Sequence, residues 1–365
     1  MAHDHAGRVG RALALAAAAD LDTLVVAPGP DLVYLAGYDA PPLERLTALV
    51  LRPPDLAVLL VPALERPRAM TAGAGDVAEL AAWDDGDDPY ERVRALAPGA
   101  RRVAVSDRLW ATHVLGLQVA IPPATFDRAG PLLSPLRAVK DDGEVDALAR
   151  AGAGADAAFA AIVTERFEGR AETDVARSLG RNLVANGHES VGFTIVASGP
   201  NGASPHHEAG DRVIRAGDAV VMDFGGKVGG YGSDITRTVF VGEPSDHDAR
   251  VYETVRAAQQ AAFEAARAGV AGQDVDLAAR RVIERAGFGP EFVHRTGHGI
   301  GLEEHEDPYL VSGNAEPLVP GNCFSIEPGI YLEGRMGVRI EDIVHLTDQG
   351  PRRLNEAPRE LTVVA

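Results

Sequence analysis

The chain has 365 residues, 46% of them hydrophobic, and its 53 acidic residues outnumber its 35 basic ones to give a formal net charge of −18 at pH 7. This length and composition predict a globular protein with two domains, and a surface this negative argues against a nucleic-acid partner because it repels phosphate groups. No apolar run approaches the roughly 20 residues that span a bilayer, and the start MAHDHAGRVGR lacks the apolar core of a secretion signal, so we expect a cytoplasmic protein without membrane contact.

Residues 1–134 alternate helical and strand patterns, which predicts an α/β domain. An alanine-rich helix is expected near residues 8–19, followed by strands at TLVVA, LTALVL and DLAVLLV. The segment DLVYLAGYDAPP, residues 31–42, is interpreted as a strand that leads into a loop. Because His, Cys, Asp and Glu do not cluster here, we expect the chemistry to lie in the rest of the chain.

A proline-rich stretch at residues 121–145 interrupts regular structure, and we place the domain boundary there, near Ser134. Residues 135–365 predict helices, strands, helices and strands in that order, which is compatible with a duplicated α+β unit. The helices are expected at residues 142–167, 173–186, 246–268 and 274–286, with glycine ends at Gly187, Gly269 and Gly287.

The run AVVMDFGGKVGGYGSDITRTVFVG, residues 219–242, predicts a β-hairpin. Its first strand is expected to end at Asp223 and its second to open at Asp234, with five glycines between them. The two carboxylates would then lie close together, and a divalent metal would stabilise both in the ionised form. An isolated pair of this kind is also typical of solvated turn residues, so the hairpin alone does not decide between the two.

Three further candidate ligands lie in RTGHGIGLEEHEDP, FSIEPGIY and GVRIEDIV, namely His298, Glu327 and Glu341. A carboxylate inside an apolar strand needs a cation or an arginine, and Arg339 cannot pair with every acid of the set. Four carboxylates and one imidazole without thiolates suit Mn²⁺, and with less selectivity Co²⁺, Zn²⁺ or iron. Two such ions at roughly 3.5 Å would share a hydroxide that can attack a peptide carbonyl.

With these motifs in this order, the chain resembles the prolidase and aminopeptidase P branch of the pita-bread metallopeptidases. One ligand lies in each of MDFGG, SDITRT, GHGIG, IEPG and RIED, and PLRAVKDDGEVDAL resembles the start of the interdomain helix. The resemblance covers most of the chain and implies an α+β fold: a C-terminal pita-bread catalytic domain, residues 135–365, preceded by a smaller creatinase-type α/β domain, residues 1–134.

The same resemblance implies two divalent metal ions and a role for each ligand. Asp234 and Glu341 are expected to bridge the ions, Asp223 to chelate one of them, and His298 with Glu327 to complete the other.

The resemblance also implies roles for residues that do not bind metal. His206, in NGASPHHE, matches a proton-shuttling histidine, although the adjacent His207 remains an alternative. His305 matches a histidine that contacts the scissile carbonyl, His294 one that faces the substrate, and Arg339 an arginine that orients a bridging glutamate or the substrate carboxylate. A proton carrier near neutral pH is needed because the proline nitrogen leaves only when protonated.

The activity implied is metal-dependent hydrolysis of the bond between an N-terminal residue and proline, by an enzyme of a family that usually dimerises. The short segment between His305 and Glu327, and the end of the chain soon after Glu341, favour dipeptides over the longer substrates of an Xaa-Pro aminopeptidase. Metal-free creatinase-like enzymes and peptide-binding modules of histone chaperones share this fold, but they have lost ligands that are present here. Methionine aminopeptidases usually lack an N-terminal α/β domain of this sort.

Other readings of single motifs fail on their surroundings. DFG at residues 223–225 lacks the HRD-type loop of a kinase, and His294 with His298 lacks the glutamate of a helical zinc site. No dinucleotide fingerprint lies between a strand and a helix. The single cysteine, Cys323, excludes an internal disulfide, fits a reducing compartment and is expected to be a buried structural residue.

Overall fold

The computed structural model describes residues 3–365, and its contacts divide the chain into two compact units, Met1–Arg137 and Ala138–Ala365. Ser134 lies inside a helix, Gly130–Ala138. Across residues 3–365, none of the helices combines the length and the apolarity that a bilayer crossing requires.

The first unit is a six-stranded sheet with helices. Its strands follow the order β4-β3-β2-β1-β5-β6, with β1–β2 and β2–β3 antiparallel and the other pairs parallel. The strands are β1 Thr23–Val26, β2 Ala48–Arg52, β3 Leu56–Pro62, β4 Glu79–Trp83, β5 Arg102–Val105 and β6 Thr125–Arg128. The helices are α1 His5–Ala18, α2 Pro30–Ala36, α3 Arg66–Thr71, α4 Pro89–Leu96, α5 Ala111–Ala120 and α6 Gly130–Ala138.

The prediction of a strand at residues 31–42 is wrong, because this segment begins with helix α2. Pro30 stands at the first helical position, where its missing N–H removes no hydrogen bond. Gly37 ends the helix in the left-handed conformation, and its N–H donates to the carbonyl of Val33. A short apolar run does not distinguish a buried strand from a buried helix, whereas these two flanking residues do.

The second unit repeats a pattern of two helices followed by strands. Its helices are α7 Asp142–Ile162, α8 Glu172–Ala185, α9 Asp246–Ala265 and α10 Gly272–Arg285. Its strands are β7 Ser190–Ser198, β8 Ala219–Val228, β9 Tyr231–Gly232, β10 Ile235–Val241, β11 Gly297–Gly299, β12 Glu306–Leu310, β13 Cys323–Ile326, β14 Gly329–Leu332, β15 Met336–Arg339, β16 Asp342–Thr347, β17 Gly350–Arg353 and β18 Thr362–Val364. They form sheets in the orders β18-β10-β8-β7, with β9 paired to β8, then β12-β11-β13-β16-β17, and β14-β15.

The two halves of this unit have separate hydrophobic cores. One core lies under α7 and α8 and the other under α9 and α10. Helix α8 buries Val175, Leu179 and Leu183, a spacing of four residues that gives one apolar stripe, and α10 buries residues at the same spacing. Both cores pack against the strands that carry the acidic motifs, so they fix the positions of those strands.

The predicted helix ends hold at two of three glycines. Gly187 and Gly287 adopt positive φ just beyond α8 and α10, as a left-handed helix end requires. The predicted end at Gly269 is wrong, because α9 ends earlier, at Ala265. Gly269 lies in the loop after α9 and also has positive φ, but its N–H donates to the carbonyl of the distant Leu318.

Candidate metal centre

The two aspartates of the predicted hairpin lie on one face of the β8–β10 ladder. Asp223 pairs with Thr236, and Asp234 immediately precedes β10, two residues from Thr236. Because side chains alternate along a strand, Asp234 and Thr236 point to the same side of the sheet. The prediction that the first strand ends at Asp223 is wrong, because β8 continues to Val228.

Glycines explain why the hairpin is longer than predicted. A Cβ built on Gly225 would lie 2.0 Å from the carbonyl oxygen of Ser233, so only glycine allows this close pairing. Gly229 and Gly230 both adopt positive φ and make the tight turn. The five glycines therefore lie partly in the paired strands and partly in the turn, and they do not form one open loop.

His298 lies at the centre of the short strand β11, between two glycines. A Cβ on Gly297 would lie 2.0 Å from the carbonyl oxygen of Ser325, and one on Gly299 would lie 2.2 Å from that of Asp307. The motif GHG thus lets β11 lie close to its neighbours on both sides. The ring Nδ1 of His298 donates to the carbonyl of Gly299 at 3.1 Å, which directs Nε2 toward the acidic residues.

Glu327 and Glu341 each occupy a junction between consecutive strands. Glu327 follows β13 and Glu341 follows β15, which corrects the expectation that they lie inside strands. Their backbone N–H groups donate to the carbonyls of Thr296 and Thr236, respectively, so both junctions are fixed to neighbouring segments. The irregular backbone turns both carboxylates toward His298 and Asp234.

The predicted ligands converge. One ligand atom from each of Asp234, His298 and Glu341 lies within 4.8 Å of the others, and all three residues are buried. Nε2 of His298 lies 3.2 Å from Oε1 of Glu327 and 3.7 Å from Oδ2 of Asp234. The fifth residue, Asp223, lines the same cavity.

Three carboxylate oxygens in this cluster are buried and have no hydrogen-bond donor within the described residues 3–365. They are Oδ1 of Asp223, Oδ1 of Asp234 and Oε1 of Glu341. Buried acceptors of this kind are rare and costly unless an ion or water satisfies them. Hard oxygen donors around a single imidazole match the preference of divalent cations, so these residues fit a metal centre.

The electrostatics of the cluster lead to the same conclusion. Burial, followed by the charges of Glu341 and Asp223, raises the pKa of Asp234 well above its usual range. Burial and the charges of Glu327 and Asp223 likewise raise the pKa of Glu341. Burial acts to raise the pKa of Glu327 as well, but the hydrogen bond and charge of His298 outweigh it and lower that pKa to about 2. Two acids therefore disfavour their charged form unless a cation joins them.

Arg339 links several residues of the site. Its Nη2 donates to Oδ2 of Asp223 at 2.7 Å and its Nε donates to Oγ1 of Thr236 at 3.1 Å. The Thr236 hydroxyl in turn donates to Oε2 of Glu341 at 2.7 Å. Arg339 therefore contacts one acid directly and a second through a threonine, and its guanidinium is buried in these contacts.

Tyr331 connects Arg339 to His294. Its hydroxyl accepts from Nη1 of Arg339 at 2.7 Å and lies 2.8 Å from Nε2 of His294. Nδ1 of His294 lies 2.7 Å from the carbonyl of Arg295, to which it donates, so Nε2 is left to accept from Tyr331. Burial lowers the pKa of His294 and raises that of Tyr331 to about 12, which keeps both groups neutral near pH 7.

His206 and His207 have different surroundings. His206 is exposed and lines the cavity, whereas Nε2 of His207 lies 2.9 Å from Oε2 of the buried Glu172. Glu172 also accepts from the backbone N–H of Ser198 and from Nδ2 of Asn201. Glu172 therefore holds the segment that carries His206 through contacts with Asn201 and His207, on either side of it in the sequence.

The cavity has a volume of about 580 Å³, and every predicted site residue lines it. His305 belongs to it, with its ring centroid 4.0 Å from that of His298. Loss of solvation and the neighbouring His298 lower the pKa of His305 to about 4. The remaining lining residues are Phe193, Ile195, Pro205, Arg295 and Glu304.

Sequence reasoning missed Tyr331, Thr236 and Glu172 as members of the site. The first two lie inside motifs that were singled out, FSIEPGIY and SDITRT, where a polar residue amid apolar neighbours was the available signal. Glu172 lies far from those motifs, in the first turn of α8, and only its burial in the structure indicates its role.

Comparisons with known proteins show the family to which the chain belongs. Residues 146–348 match the family model described as metallopeptidase family M24, and residues 8–139 match the Creatinase/Prolidase N-terminal domain. The chain is 48% identical to the probable dipeptidase PepE of Mycobacterium tuberculosis, over 97% of this chain and 96% of that protein.

Solved structures are similar over the full length. The dipeptidase PepE from Mycobacterium ulcerans superposes with a TM-score of 0.94 at 46% identity, covering 99% of this chain and 98% of that one. A recombinant prolidase from Thermococcus sibiricus superposes with a TM-score of 0.93 at 36% identity, covering 100% of both chains.

Proposed function

The chain belongs to metallopeptidase family M24, and we propose that it is an Xaa-Pro dipeptidase that works with two divalent metal ions, Mn²⁺ in the first place and Co²⁺ or Zn²⁺ as alternatives. The observation that carries this proposal is the convergence of Asp234, His298 and Glu341 beside carboxylate oxygens that have no donor. Such a set stays charged at neutral pH only around a cation.

We assign the five acidic and imidazole side chains as the metal ligands. Asp234 and Glu341 would bridge the two ions, Asp223 would complete one, and His298 with Glu327 the other. Bound divalent ions lower the pKa of water and polarise a carbonyl, which is the chemistry that amide hydrolysis requires. The proposal that Asp234 and Glu341 bridge the ions is supported by the burial of both residues and by the oxygen on each that has no donor.

The histidines would handle the proton and the developing charge. His206 lines the cavity with its ring free of the Glu172 contact that engages His207, so we assign His206 as the group that protonates the leaving proline nitrogen. His305 is held neutral and lies against His298, where it can donate a hydrogen bond to the carbonyl oxygen.

Arg339 and His294 would orient the reacting groups. Arg339 fixes Asp223 directly, and through Thr236 it fixes Glu341, so it would set the direction of two ligands. His294 is oriented by Tyr331 and faces the same cavity, where it would contact the substrate.

We favour a dipeptide substrate over a longer peptide. The supporting finding is that relatives covered over nearly their full length carry the names dipeptidase and prolidase. We further propose a cytoplasmic homodimer: the compartment is supported by the single cysteine, Cys323, which is buried, and the dimer by the resemblance to prolidases.

The decisive experiment is metal-dependent cleavage of matched peptides. Protein treated with a chelator and dialysed would be reloaded with Mn²⁺, Co²⁺ or Zn²⁺ and assayed on Ala-Pro, Ala-Ala and Ala-Pro-Ala. We expect no turnover without metal, and with metal a preference for Ala-Pro over the other two. Preference for Ala-Pro-Ala would identify an aminopeptidase, and turnover that persists without metal would overturn the proposed mechanism.

Variants of the adjacent histidines test the proton carrier. His206→Gln is expected to lower kcat by about 10²-fold or more, the range of a general acid, while the protein keeps its metal. The matched variant His207→Gln keeps a side chain that can donate to Glu172 and should lose less. The reverse order would transfer the role to His207.

A further inference from the structure

One acidic residue of the cavity belongs to neither the ligand set nor the network around Arg339. Glu304 lines the cavity and is exposed, and within residues 3–365 its carboxylate has no hydrogen-bond or ion-pair partner. Glu304 therefore presents a free negative charge to whatever enters the site. A free carboxylate in a binding cavity favours a cationic group.

The Glu304 carboxylate lies beside strands β7 and β8. Its Oε1 lies against the backbone at Gly192, where a built Cβ would be 2.6 Å from it and 3.5 Å from the carbonyl oxygen of Gly225. On β8, Gly225 lies two residues beyond Asp223, which corresponds to about 7 Å along a strand. The Glu304 carboxylate is therefore offset from the metal ligands by about the length of a long side chain.

The wall between these two points is apolar. Phe193 and Ile195 are half-buried and line the cavity, and in the β7–β8 register Ile195 pairs with Asp223 and Phe193 with Gly225. Ile195 therefore lies beside the metal ligands and Phe193 lies nearer to Glu304, so the two side chains line the path from the reacting centre to the Glu304 carboxylate. A lysine or arginine side chain has this character, because its apolar stem packs on such a wall and its charged end stays hydrated.

We propose that Glu304 selects substrates whose N-terminal residue is lysine or arginine, by pairing with the cationic end of that side chain. This inference rests on the proposed function. In an Xaa-Pro dipeptide the second side chain is fixed and uncharged, so only the first can carry a cation. The α-ammonium is a weaker candidate, because it lies two bonds from the scissile carbonyl and so must stay beside the metal ligands.

Neighbouring charges leave this role to Glu304. Lys227, two residues beyond Gly225 on β8, donates through Nζ to the carbonyl of Leu302 at 3.1 Å. Arg295 also lines the cavity, and its guanidinium lies over the ring of Tyr309 at 4.7 Å. Neither forms an ion pair with Glu304 in the part of the chain that the structure describes, so its charge is available to a substrate.

The test compares two dipeptides that differ only in the terminal charge. Lysyl-proline and norleucyl-proline have side chains of similar length, and kcat/KM for each would be measured on the Mn²⁺-loaded protein. Glu304→Gln is expected to lower the lysyl-proline to norleucyl-proline ratio about two- to fivefold, the range of a solvent-exposed ion pair, mainly through KM. Glu304→Lys should lower the ratio further, because attraction becomes repulsion.

Two controls separate charge recognition from a general effect. Glu303→Gln removes the same charge from the neighbouring residue, which does not line the cavity, and should leave the ratio close to that of the wild type. Raising the salt concentration should lower the ratio for the wild type but not for Glu304→Gln, because salt screens the pair. A ratio that is the same in wild type, Glu304→Gln and Glu304→Lys would overturn the inference.

Failure of the underlying function gives a different result. If the Mn²⁺-loaded wild type cleaves neither dipeptide, the proposed function is overturned and the selectivity with it. If it cleaves norleucyl-proline, and the Glu304 variants do so with an unchanged preference, only the inference is lost.

Discussion

Replacing Asp234 with asparagine should separate the stability of the protein from its ability to bind metal. In the chelated protein Asp234 lies among the buried or half-buried acids Asp223, Glu327 and Glu341, whose charges act on one another. Asp234→Asn replaces a buried acid, whose charged form is disfavoured here, with an amide that is always neutral, so the chelated variant should melt at or above the temperature of the chelated wild type. With metal present the order should reverse, because the variant lacks one of the two proposed bridging ligands.

The size of the metal effect follows from mass action. An ion at a hundred times its dissociation constant stabilises the folded state by about 2.7 kcal/mol. For a unit of the size of Ala138–Ala365, 1 kcal/mol shifts the melting temperature by about 2–4 °C. Each Mn²⁺ should therefore raise the melting temperature of the wild type by about 5–11 °C, and this gain should be largely lost in Asp234→Asn.

Differential scanning calorimetry with and without Mn²⁺, together with elemental analysis of the dialysed protein, measures both quantities. Asp348→Asn, at an exposed turn residue, is the matched control and should keep the full Mn²⁺ effect. If Asp234→Asn gains as much from Mn²⁺ as the wild type, Asp234 is not a metal ligand. A chelated variant that melts several degrees below the chelated wild type would contradict the repulsion.

Three further predictions concern residues that support the site. Lys140 and Glu306 form a buried ion pair with an N···O distance of 2.7 Å, so Lys140→Met and Glu306→Gln each leave one buried charge without its partner. Each variant should lower the free energy of unfolding, measured in urea, by about 3–5 kcal/mol. The double variant should lose less than the sum of the two, and strict additivity would contradict this. Burial lowers the pKa of His188, so below about pH 6.5 the unfolded chain takes up a proton that the folded chain refuses, and stability should fall as the pH is lowered. His188→Gln should flatten that slope in urea titrations at pH 5 and pH 7, and an unchanged slope would contradict it. Glu172→Gln should lower kcat about tenfold and speed amide hydrogen exchange in residues 199–210, whereas unchanged exchange would show that Glu172 does not hold this segment.

Local signals predicted the helices of the second unit well. The apolar spacing of α8 and α10 and the glycines at 187 and 287 are properties of short segments, and each acts within a few residues of where it stands. Where such signals compete, the prediction is wrong: DLVYLA is short and apolar enough for a strand, but the flanking residues Pro30 and Gly37 favour a helix.

The contacts around Arg339 could not be predicted from local patterns. Asp223 and Arg339 are 116 positions apart, and their 2.7 Å contact depends on how β8, β10 and β15 come together. The same holds for Glu304, whose place beside Gly192 depends on a loop and a strand distant in sequence. The order of motifs in the chain could suggest a common site, but which partner each side chain takes is a property of the packed sheets.

The adjacent acids Glu341 and Asp342 cannot be distinguished as metal ligands by residue type, because either carboxylate could bind a metal. The fold distinguishes them by the partners that it gives to each. Consecutive residues here face opposite sides, and Asp342 lies fully buried on the side away from the cavity, where it accepts from Arg237 at 2.7 Å and from Arg353 and Arg359 at 3.1 Å each. Three guanidinium groups satisfy that carboxylate. Within residues 3–365, one carboxylate oxygen of Glu341 accepts from the hydroxyl of Thr236 and the other has no donor. Because a buried carboxylate stays charged only beside a cation and these three arginines pair with Asp342, Glu341 is the acid of the two that is suited to bind a cation from outside the chain.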